Sequence, residues 1–354
     1  MWKHCAILLL SLLLGACQPS DPGRALQDDY LQRLANGLDS PLADQPALTL
    51  EHWRLPPRRE RLLEIEPLRI SLLDLLIDLH RCPRLQQLIS ERNNSLGKQM
   101  TASRRLGYEG QLIRALEECL PLLASEETAS EEDSLQSVLD GKRQQLRAVF
   151  WNAVNGSPEV ESYLRFAKQG LAPSGADDGA ALLALEQLAS LAEQLPQQLP
   201  PTPEQLDELF FALHRSTAGG QLIHSLLALR QSLEAGSQLL ETRQTTRPLC
   251  PLGTPTPRGR RAQNLFVKFY AGELQPYLAE VDQRGQRWSA ALRRLAAAPD
   301  IPVATRQYLQ RLAGEEQSLW SEFRAASRRH VKAWQDTLRS CQLAPGQAGW
   351  SGAR

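Results

Sequence analysis

The chain has 354 residues with 40 basic and 40 acidic side chains, which gives a formal net charge of zero when histidine is neutral. This balance excludes a strong global field, and it argues against a nucleic-acid-binding protein, which would need a basic face. The length allows two domains, but the sequence has no long flexible linker, so we expect one extended helical body.

The first residues have the three-part pattern of a secretory signal. A basic start at Lys3 precedes a short apolar run, residues 6–14, which is too short to cross a bilayer as a helix. The sequence Leu14-Gly15-Ala16-Cys17 then has the order of a lipobox. Its small residues let a peptidase approach the backbone, and only a thiol can take the diacylglyceryl group.

The lipobox is typical of a bacterial lipoprotein with a signal peptide over residues 1–16. It predicts that Cys17 is the first mature residue and that its acyl chains hold the protein at a membrane. Gln18 follows where Asp would favour the inner membrane, so we expect the periplasmic face of the outer membrane of a Gram-negative cell. Residues 17–21 form the predicted lipid tether. An ordinary secretory signal cleaved after Ala16 is the alternative.

The body of the chain has the periodicity of helices. Apolar residues recur every three or four positions, alternating β-type runs are hard to find, and good helix formers dominate. We therefore predict an all-α fold, an elongated multi-helix bundle that can divide into two sub-bundles. The predicted helices begin at Asp21 or Pro22 and then cover 67–81, 83–93, 101–124, 130–154, 180–194, 203–243 with an interruption at 218–220, and 258–341 with breaks near Gly285 and at 299–302.

The predicted helical body spans residues 22–342 and has one candidate hinge, residues 171–203. That stretch contains a loop rich in Gly, Ala, Pro and Asp and a second loop with four prolines. The paired glycines Gly219 and Gly220 predict a kink or close helix packing. Residues 343–354 are predicted to form a disordered tail.

Six cysteines are present. Cys5 lies in the predicted signal peptide and Cys17 is the predicted lipid attachment site, so four cysteines remain. An even number of four in an oxidising compartment predicts disulfides, with three possible connectivities. We favour Cys82–Cys119 and Cys250–Cys341, because each pair lies at the ends of a segment that can form a hairpin. A zinc site is disfavoured, since no two of these cysteines have CxxC-like spacing.

No catalytic or metal-binding motif stands out in the chain. HExxH, GxSxG, a P-loop and GxGxxG are all absent, so we predict no catalytic residue, no metal ligand and no cofactor. His330 lies on an apolar stripe with Glu316 further up, which leaves a buried acid–base pair as an alternative to a core histidine. The stripe predicts one long final helix that contains Leu312, Glu316, Leu319, Phe323, Ala326, His330, Trp334 and Cys341.

One polar segment, Ser90–Lys98, separates two predicted helices. Asparagines tolerate left-handed backbone and cap helices, which is the structural interpretation. The functional interpretation is a recognition loop held by the Cys82–Cys119 hairpin. Its candidate residues are Arg92, Asn93, Asn94, Ser95 and Lys98.

The lipobox, "CPRLQQLISERNNSLGKQM" from Cys82, "YEGQLIRALEECL" after it and "RPLCPLG" around Cys250 together resemble a family of proteobacterial lipoproteins catalogued only as a domain of unknown function. The resemblance covers essentially the whole mature chain. It implies an envelope lipoprotein, and it carries no activity, substrate or catalytic residue.

We expect a lipid-anchored periplasmic protein with a binding or scaffold role. Its partners would be the membrane, through the acyl chains on Cys17, and an envelope protein, but not nucleic acid. The alternatives are an envelope hydrolase or metalloenzyme whose site assembles from distant helices, and a carrier of an apolar ligand.

Overall fold

The computed structural model describes residues 21–49, 51–66, 81–95, 97–123, 129–173 and 179–351. Within these ranges the chain is all-α and has no strand. The helices are α1 (Pro22–Gly37), α2 (Arg58–Arg61), α3 (Pro83–Asn93), α4 (Ala102–Leu123), α5 (Ala129–Gly156), α6 (Pro158–Leu164), α7 (Gly179–Gln194), α8 (Pro203–His214), α9 (Ala218–Thr246), α10 (Pro257–Leu265), α11 (Gln275–Ala297), α12 (Val303–Ala313) and α13 (Leu319–Ser340).

Several predictions fall on other parts of the chain. The signal peptide, Cys17 and nearly all of the tether lie outside the described residues, as do the helix predicted at 67–81 apart from its last residue, part of the hinge (174–178) and the end of the tail. They stay predictions.

Local sequence signals set the helix starts. Asp21 accepts a hydrogen bond from the Arg24 amide at 3.0 Å and precedes a proline, which is the expected start of α1. Thr202 forms a capping box with Gln205 at the start of α8. These side chains satisfy free backbone amides in the first turn, so they define where the two helices begin.

Helix α9 lies at the centre of the molecule. It packs against α1, α6, α11 and α13, and its buried face includes Leu226, Leu229 and Leu233. Helices α4 and α5 pack against each other, and α8 contacts α4, α6 and α7. The buried apolar side chains join into one cluster that runs from α1 to the residues after α13.

Both predicted disulfides are confirmed. Cys82–Cys119 joins the start of α3 to α4 and closes a sequence separation of 37 residues. Cys250–Cys341 joins the α9–α10 connection to the end of α13 across 91 residues. We call them the α3–α4 disulfide and the C-terminal disulfide.

The predicted final helix is wrong at its start. Helix α12 ends at Ala313, and α13 begins only at Leu319, after a connector in which Gln317 has a positive φ of 50°. Ser318 then forms a capping box with Ser321. The apolar spacing continues across the connector, so periodicity alone did not show the break.

Two glycine predictions had different outcomes. The predicted break near Gly285 is absent: this residue lies inside α11, where a Cβ would collide with the Trp320 ring. Close packing at 219–220 is confirmed, because a Cβ on Gly219 would lie 2.5 Å from the carbonyl oxygen of Tyr163. The interruption itself precedes the glycines, between α8 and α9.

The segment 343–351, predicted to be disordered, is packed against the body. Leu343 is fully buried, and its carbonyl oxygen accepts a hydrogen bond from Gln263 Nε2 at 3.2 Å. Trp350 makes a ring contact with Phe266. The C-terminal disulfide brings this segment to α10, so the prediction of a disordered tail is wrong for these residues.

None of the helices within the described residues is both long enough and apolar enough to cross a bilayer.

Candidate functional site

His330 lies in a buried chain of hydrogen bonds at the interface of α1, α9 and α13. The indole nitrogen of Trp334 donates to the Tyr30 hydroxyl at 2.8 Å, and that hydroxyl lies 2.6 Å from Nε2 of His330. Nδ1 of His330 lies 3.2 Å from the Ser237 hydroxyl, which itself donates to the Leu233 carbonyl oxygen at 2.6 Å.

The hydrogen-bond donors around His330 determine which of its ring nitrogens carries the proton. The Ser237 hydroxyl has used its proton, so its oxygen accepts from Nδ1–H, and the Tyr30 hydroxyl donates to Nε2. Both ring nitrogens of the neutral imidazole are therefore satisfied. Complete burial lowers the pKa of His330 to about 3, and burial raises that of Tyr30 well above its usual value. We call Tyr30, Ser237, His330 and Trp334 the buried histidine network.

The structure does not bring His330 and Glu316 together. Glu316 is exposed in the connector before α13, whereas His330 is fully buried and bonded to Tyr30 and Ser237. The acid–base pair considered from the sequence is therefore wrong. Its basis was the assumption of one helix through residues 312–341, which the connector interrupts.

A second histidine joins α9 to the start of α1. Nε2 of His224 lies 3.0 Å from the Asp21 carboxylate, and Nδ1 lies 3.1 Å from the Ala167 carbonyl oxygen. The same carboxylate oxygen accepts a hydrogen bond from the Gly170 amide at 3.0 Å. Asp21 thus caps α1 and ties it to two other segments, a role that no sequence motif indicated.

Other histidines show no common site. His214 is exposed at the end of α8, His52 is exposed beside Trp53, and His80 lies outside the described residues. Within the described ranges no group of three or more His, Cys, Asp or Glu side chains is placed to hold a metal ion.

The Ser90–Lys98 segment is held by its own polar groups. The side-chain oxygen of Asn94 accepts a hydrogen bond from the Gly97 amide at 2.7 Å, and Arg92 donates to the Gly97 carbonyl oxygen. Asn93, Ser95 and Lys98 are exposed. Two of the five candidate residues therefore shape the turn, and the other three face solvent, so the recognition role stays a prediction.

An open groove of about 740 Å³ lies between α9 and the segment 39–46. One wall is a single face of α9, on which lining residues recur every three or four positions: Gln231, Ala235, Gln238, Leu239, Thr242, Arg243 and Thr246. The other wall includes Asp39, Leu42 and Pro46, whose carbonyl oxygen accepts a hydrogen bond from Gln231 at 2.6 Å. We call this the α9 groove. The polar spacing on α9 was the sequence signal for it, but sequence reasoning did not single it out.

Arg243 lies at one end of the α9 groove and is 4% exposed. Its Nε and Nη2 atoms are buried and have no hydrogen-bond partner. Burial, together with the charges of Arg247 and Arg258, lowers the pKa of Arg243, and Asp39 partly offsets this.

A second open groove, of about 570 Å³, lies among α7, α8, α9 and α11. Phe211 and Arg215 form part of its wall, with the guanidinium 5.7 Å from the ring centroid. An enclosed cavity near Trp151 holds only about 30 Å³, roughly the volume of one water molecule.

Residues 27–345 match a family described as "Protein of unknown function (DUF3080)". The chain belongs to this family. The match begins beyond Asp21 and includes both disulfides, the buried histidine network and all of the residues that line the α9 groove. No curated protein and no solved structure shows a significant match.

Membership in DUF3080 agrees with the resemblance to a domain of unknown function noted from the sequence. The family description names no activity, so the argument for function depends on the residues of this chain.

Proposed function

We propose that this protein is a lipid-anchored component of the bacterial cell envelope that works by binding a partner or by acting as a scaffold. The anchor is the acylated Cys17, and the preferred location is the periplasmic face of the outer membrane. Chemistry at a buried histidine is not part of the proposal, because the network around His330 is fully bonded and closed to solvent.

The observation that carries this proposal is the use of the cysteines. The lipobox accounts for Cys17, and the four cysteines that follow it are all paired in two disulfides. Stable disulfides are common in oxidising compartments and rare in the bacterial cytosol. The N-terminal motif and the cysteine pairing, which are independent features, therefore favour the same compartment.

The decisive test replaces Cys17 with alanine and follows the protein in cell fractions. We expect the wild-type chain to incorporate labelled palmitate and to sediment with membranes. The C17A variant should lose the label, and we expect a folded protein in the soluble periplasmic fraction. A Cys17→Ala chain that stays membrane-bound and uncleaved would refute the anchor, and Cys5→Ala is the matched control because that cysteine lies within the predicted signal peptide.

The α9 groove favours a second candidate, a carrier or receptor for a small ligand. The cavity near Trp151 is too small for an acyl chain, whereas the α9 groove has room for a small ligand. Leu42 and Leu239 supply apolar wall surface there. This candidate is a special case of the binding role, and the chemistry of the ligand can be argued further.

A further inference from the structure

Arg243 has an unusual position for a charged side chain. Buried cations are normally paired, because an unpaired charge away from water is costly. Arginines near a helix C-terminus often donate to the last carbonyl oxygens, and Arg243 lies in the last turn of α9. Its Nε and Nη2 atoms nevertheless have no acceptor.

The two unpartnered atoms belong to the same edge of the guanidinium group. Nε–H and one Nη2–H point in parallel, which is the geometry that binds both oxygens of a carboxylate or phosphate. Arg230 and Arg311 also leave Nε without a partner, but Arg230 pairs with Glu322, and Arg311 lies 5.9 Å from the Tyr308 ring centroid. Arg243 is the case in which a whole binding edge is unused.

The charges around Arg243 are unbalanced. Arg247 and Arg258 both raise the local positive potential, and Asp39 is the carboxylate that opposes them, 3.8 Å from Arg258. Arg329 also lines the groove, but it is neutralised by a two-point contact with Glu241. Arg243, Arg247 and Arg258 thus have a single opposing carboxylate, Asp39, and two of these three arginines line the groove.

The other lining residues limit what the rest of a ligand can be. Glu234 lines the groove and is exposed, so a second negative charge away from Arg243 would be repelled. Leu42, Ala235 and Leu239 provide apolar surface between the two. The groove therefore suits a molecule with one anionic end and an uncharged remainder.

We propose that the α9 groove binds an organic anion whose carboxylate or phosphate group is held by the Nε–Nη2 edge of Arg243, with Arg247 as a second cation. This edge is buried in the structure, so the proposed binding includes a rotation of the side chain towards the groove. The proposal rests on the binding role proposed above but not on the membrane anchor. Anion binding and cell fractionation are separate measurements, so either can fail alone.

The test is calorimetric titration of the full chain in an uncharged detergent at constant ionic strength. The probes are inorganic phosphate, acetate, butyrate and the short-chain lipid dihexanoyl phosphatidic acid. We expect wild-type protein to bind phosphate or a carboxylate, with butyrate tighter than acetate because its methylenes contact the apolar wall. Tighter binding of the phosphatidic acid than of phosphate points to a lipid headgroup as the source, and the reverse points to a free anion.

The variants separate a binding role from a structural one. Arg243→Met should weaken anion binding by roughly tenfold or more, since it removes a charge-assisted two-point contact. Arg243→Lys should retain part of the affinity, because it keeps the charge but loses the planar edge. Arg294→Gln is the matched control, and we expect its affinity to stay within about twofold of wild type because Arg294 pairs with Glu193 and does not line the groove.

Folding does not confound the comparison. Arg243→Met removes an unpaired buried cation, so we expect its melting temperature to be no lower than that of the wild-type protein. No binding of any of the four probes by the wild-type chain would overturn the proposal, and so would equal affinities in wild type and R243M.

Discussion

The buried histidine network makes the stability of the protein sensitive to acid through one residue. His330 is fully buried and neutral, and its pKa is about 3 in the folded protein, compared with about 6.5 for an exposed histidine. Between these two values the unfolded chain binds a proton at His330 that the folded chain does not. The stabilisation is therefore complete above about pH 6.5 and is lost as the pH falls towards 3.

The expected loss follows from the size of this window. Each pH unit below 6.5 costs about 1.4 kcal/mol in free energy of unfolding, so this residue alone costs about 2–3 kcal/mol at pH 4.5. Protonation would also disrupt the network. It would turn Nε2 of His330 from an acceptor into a donor, and this donor would face the donating hydroxyl of Tyr30. The sign is opposite to that of a histidine that gains a carboxylate partner on folding.

The assay is urea unfolding of oxidised wild-type protein and of His330→Leu at about pH 7, 5.5 and 4.5. At pH 7 the variant should be less stable by about 2–4 kcal/mol, because Tyr30 and Ser237 lose a buried partner. That difference should shrink by about 2–3 kcal/mol at pH 4.5, since only the wild-type chain has a proton to exclude at this position.

A control variant distinguishes this effect from general acid unfolding. Tyr30→Phe breaks the hydrogen bond to His330 but leaves the imidazole buried, so its stability should fall at pH 7 while the pH dependence persists. A wild-type minus His330→Leu difference that is the same at pH 7 and pH 4.5 would refute the reasoning, because it would mean that His330 binds protons equally in both states.

Two further predictions concern the covalent and steric limits of the core. Replacing Cys250 and Cys341 by serine should lower the free energy of unfolding by about 4–5 kcal/mol. Loss of the α3–α4 disulfide should cost slightly less, because it closes a separation of 37 residues and the C-terminal disulfide closes 91. Denaturant titrations of the two double variants measure both losses and so test this order. Gly236→Ala should destabilise by about 1–3 kcal/mol, because its Cβ would lie 2.7 Å from the His330 ring, which its hydrogen bonds hold in place. The matched variant is Gly272→Ala, in the helical segment Phe266–Leu274 that connects α10 and α11, where the Cβ would meet no atom closer than 3.2 Å. Its stability in thermal unfolding should stay within about 1 kcal/mol of wild type. Equal losses of stability at both glycines would contradict the steric argument.

The sequence was most informative where a signal is local. The starts of α1 and α8 were predicted correctly at prolines, which suit the first turn of a helix wherever it packs, and in the structure Asp21 and Thr202 cap these two helices. The cysteine pairs were also predicted correctly, although the segment between Cys250 and Cys341 contains four helices and not the single hairpin on which the prediction was based. Apolar periodicity was sufficient for the all-α class.

The sequence was least informative where two segments meet in space. The apolar spacing continues through the connector at 314–318, so the sequence predicted a single helix in place of α12 and α13. In that predicted helix, Glu316 and His330 lie on the same face. Two signals were present, Gly314 after the last turn and the Ser318–Ser321 capping box. The tail after Leu343, which is rich in glycine and alanine, is held by a disulfide and by Gln263, contacts that no local pattern contains.

The partners of His330 and Arg243 could not be predicted for the same reason. Tyr30 is 300 residues from His330 in sequence, and the network exists only because α1 and α13 both pack against α9. Arg243 was indistinguishable from any arginine near a helix end until its missing partners were visible in the structure.

The ties along α1 have a mechanical consequence. Asp21 bonds to His224, Arg24 to Gln231 and Gln27 to Ser232, so the helix is fastened to α9 at successive turns. In the proposed lipoprotein, a load on Cys17 would therefore be transmitted through α1 to α9, at the centre of the molecule. Since α1 has 16 residues and is about 24 Å long, it also sets the distance between Asp21 at its start and the Asp39 end of the groove.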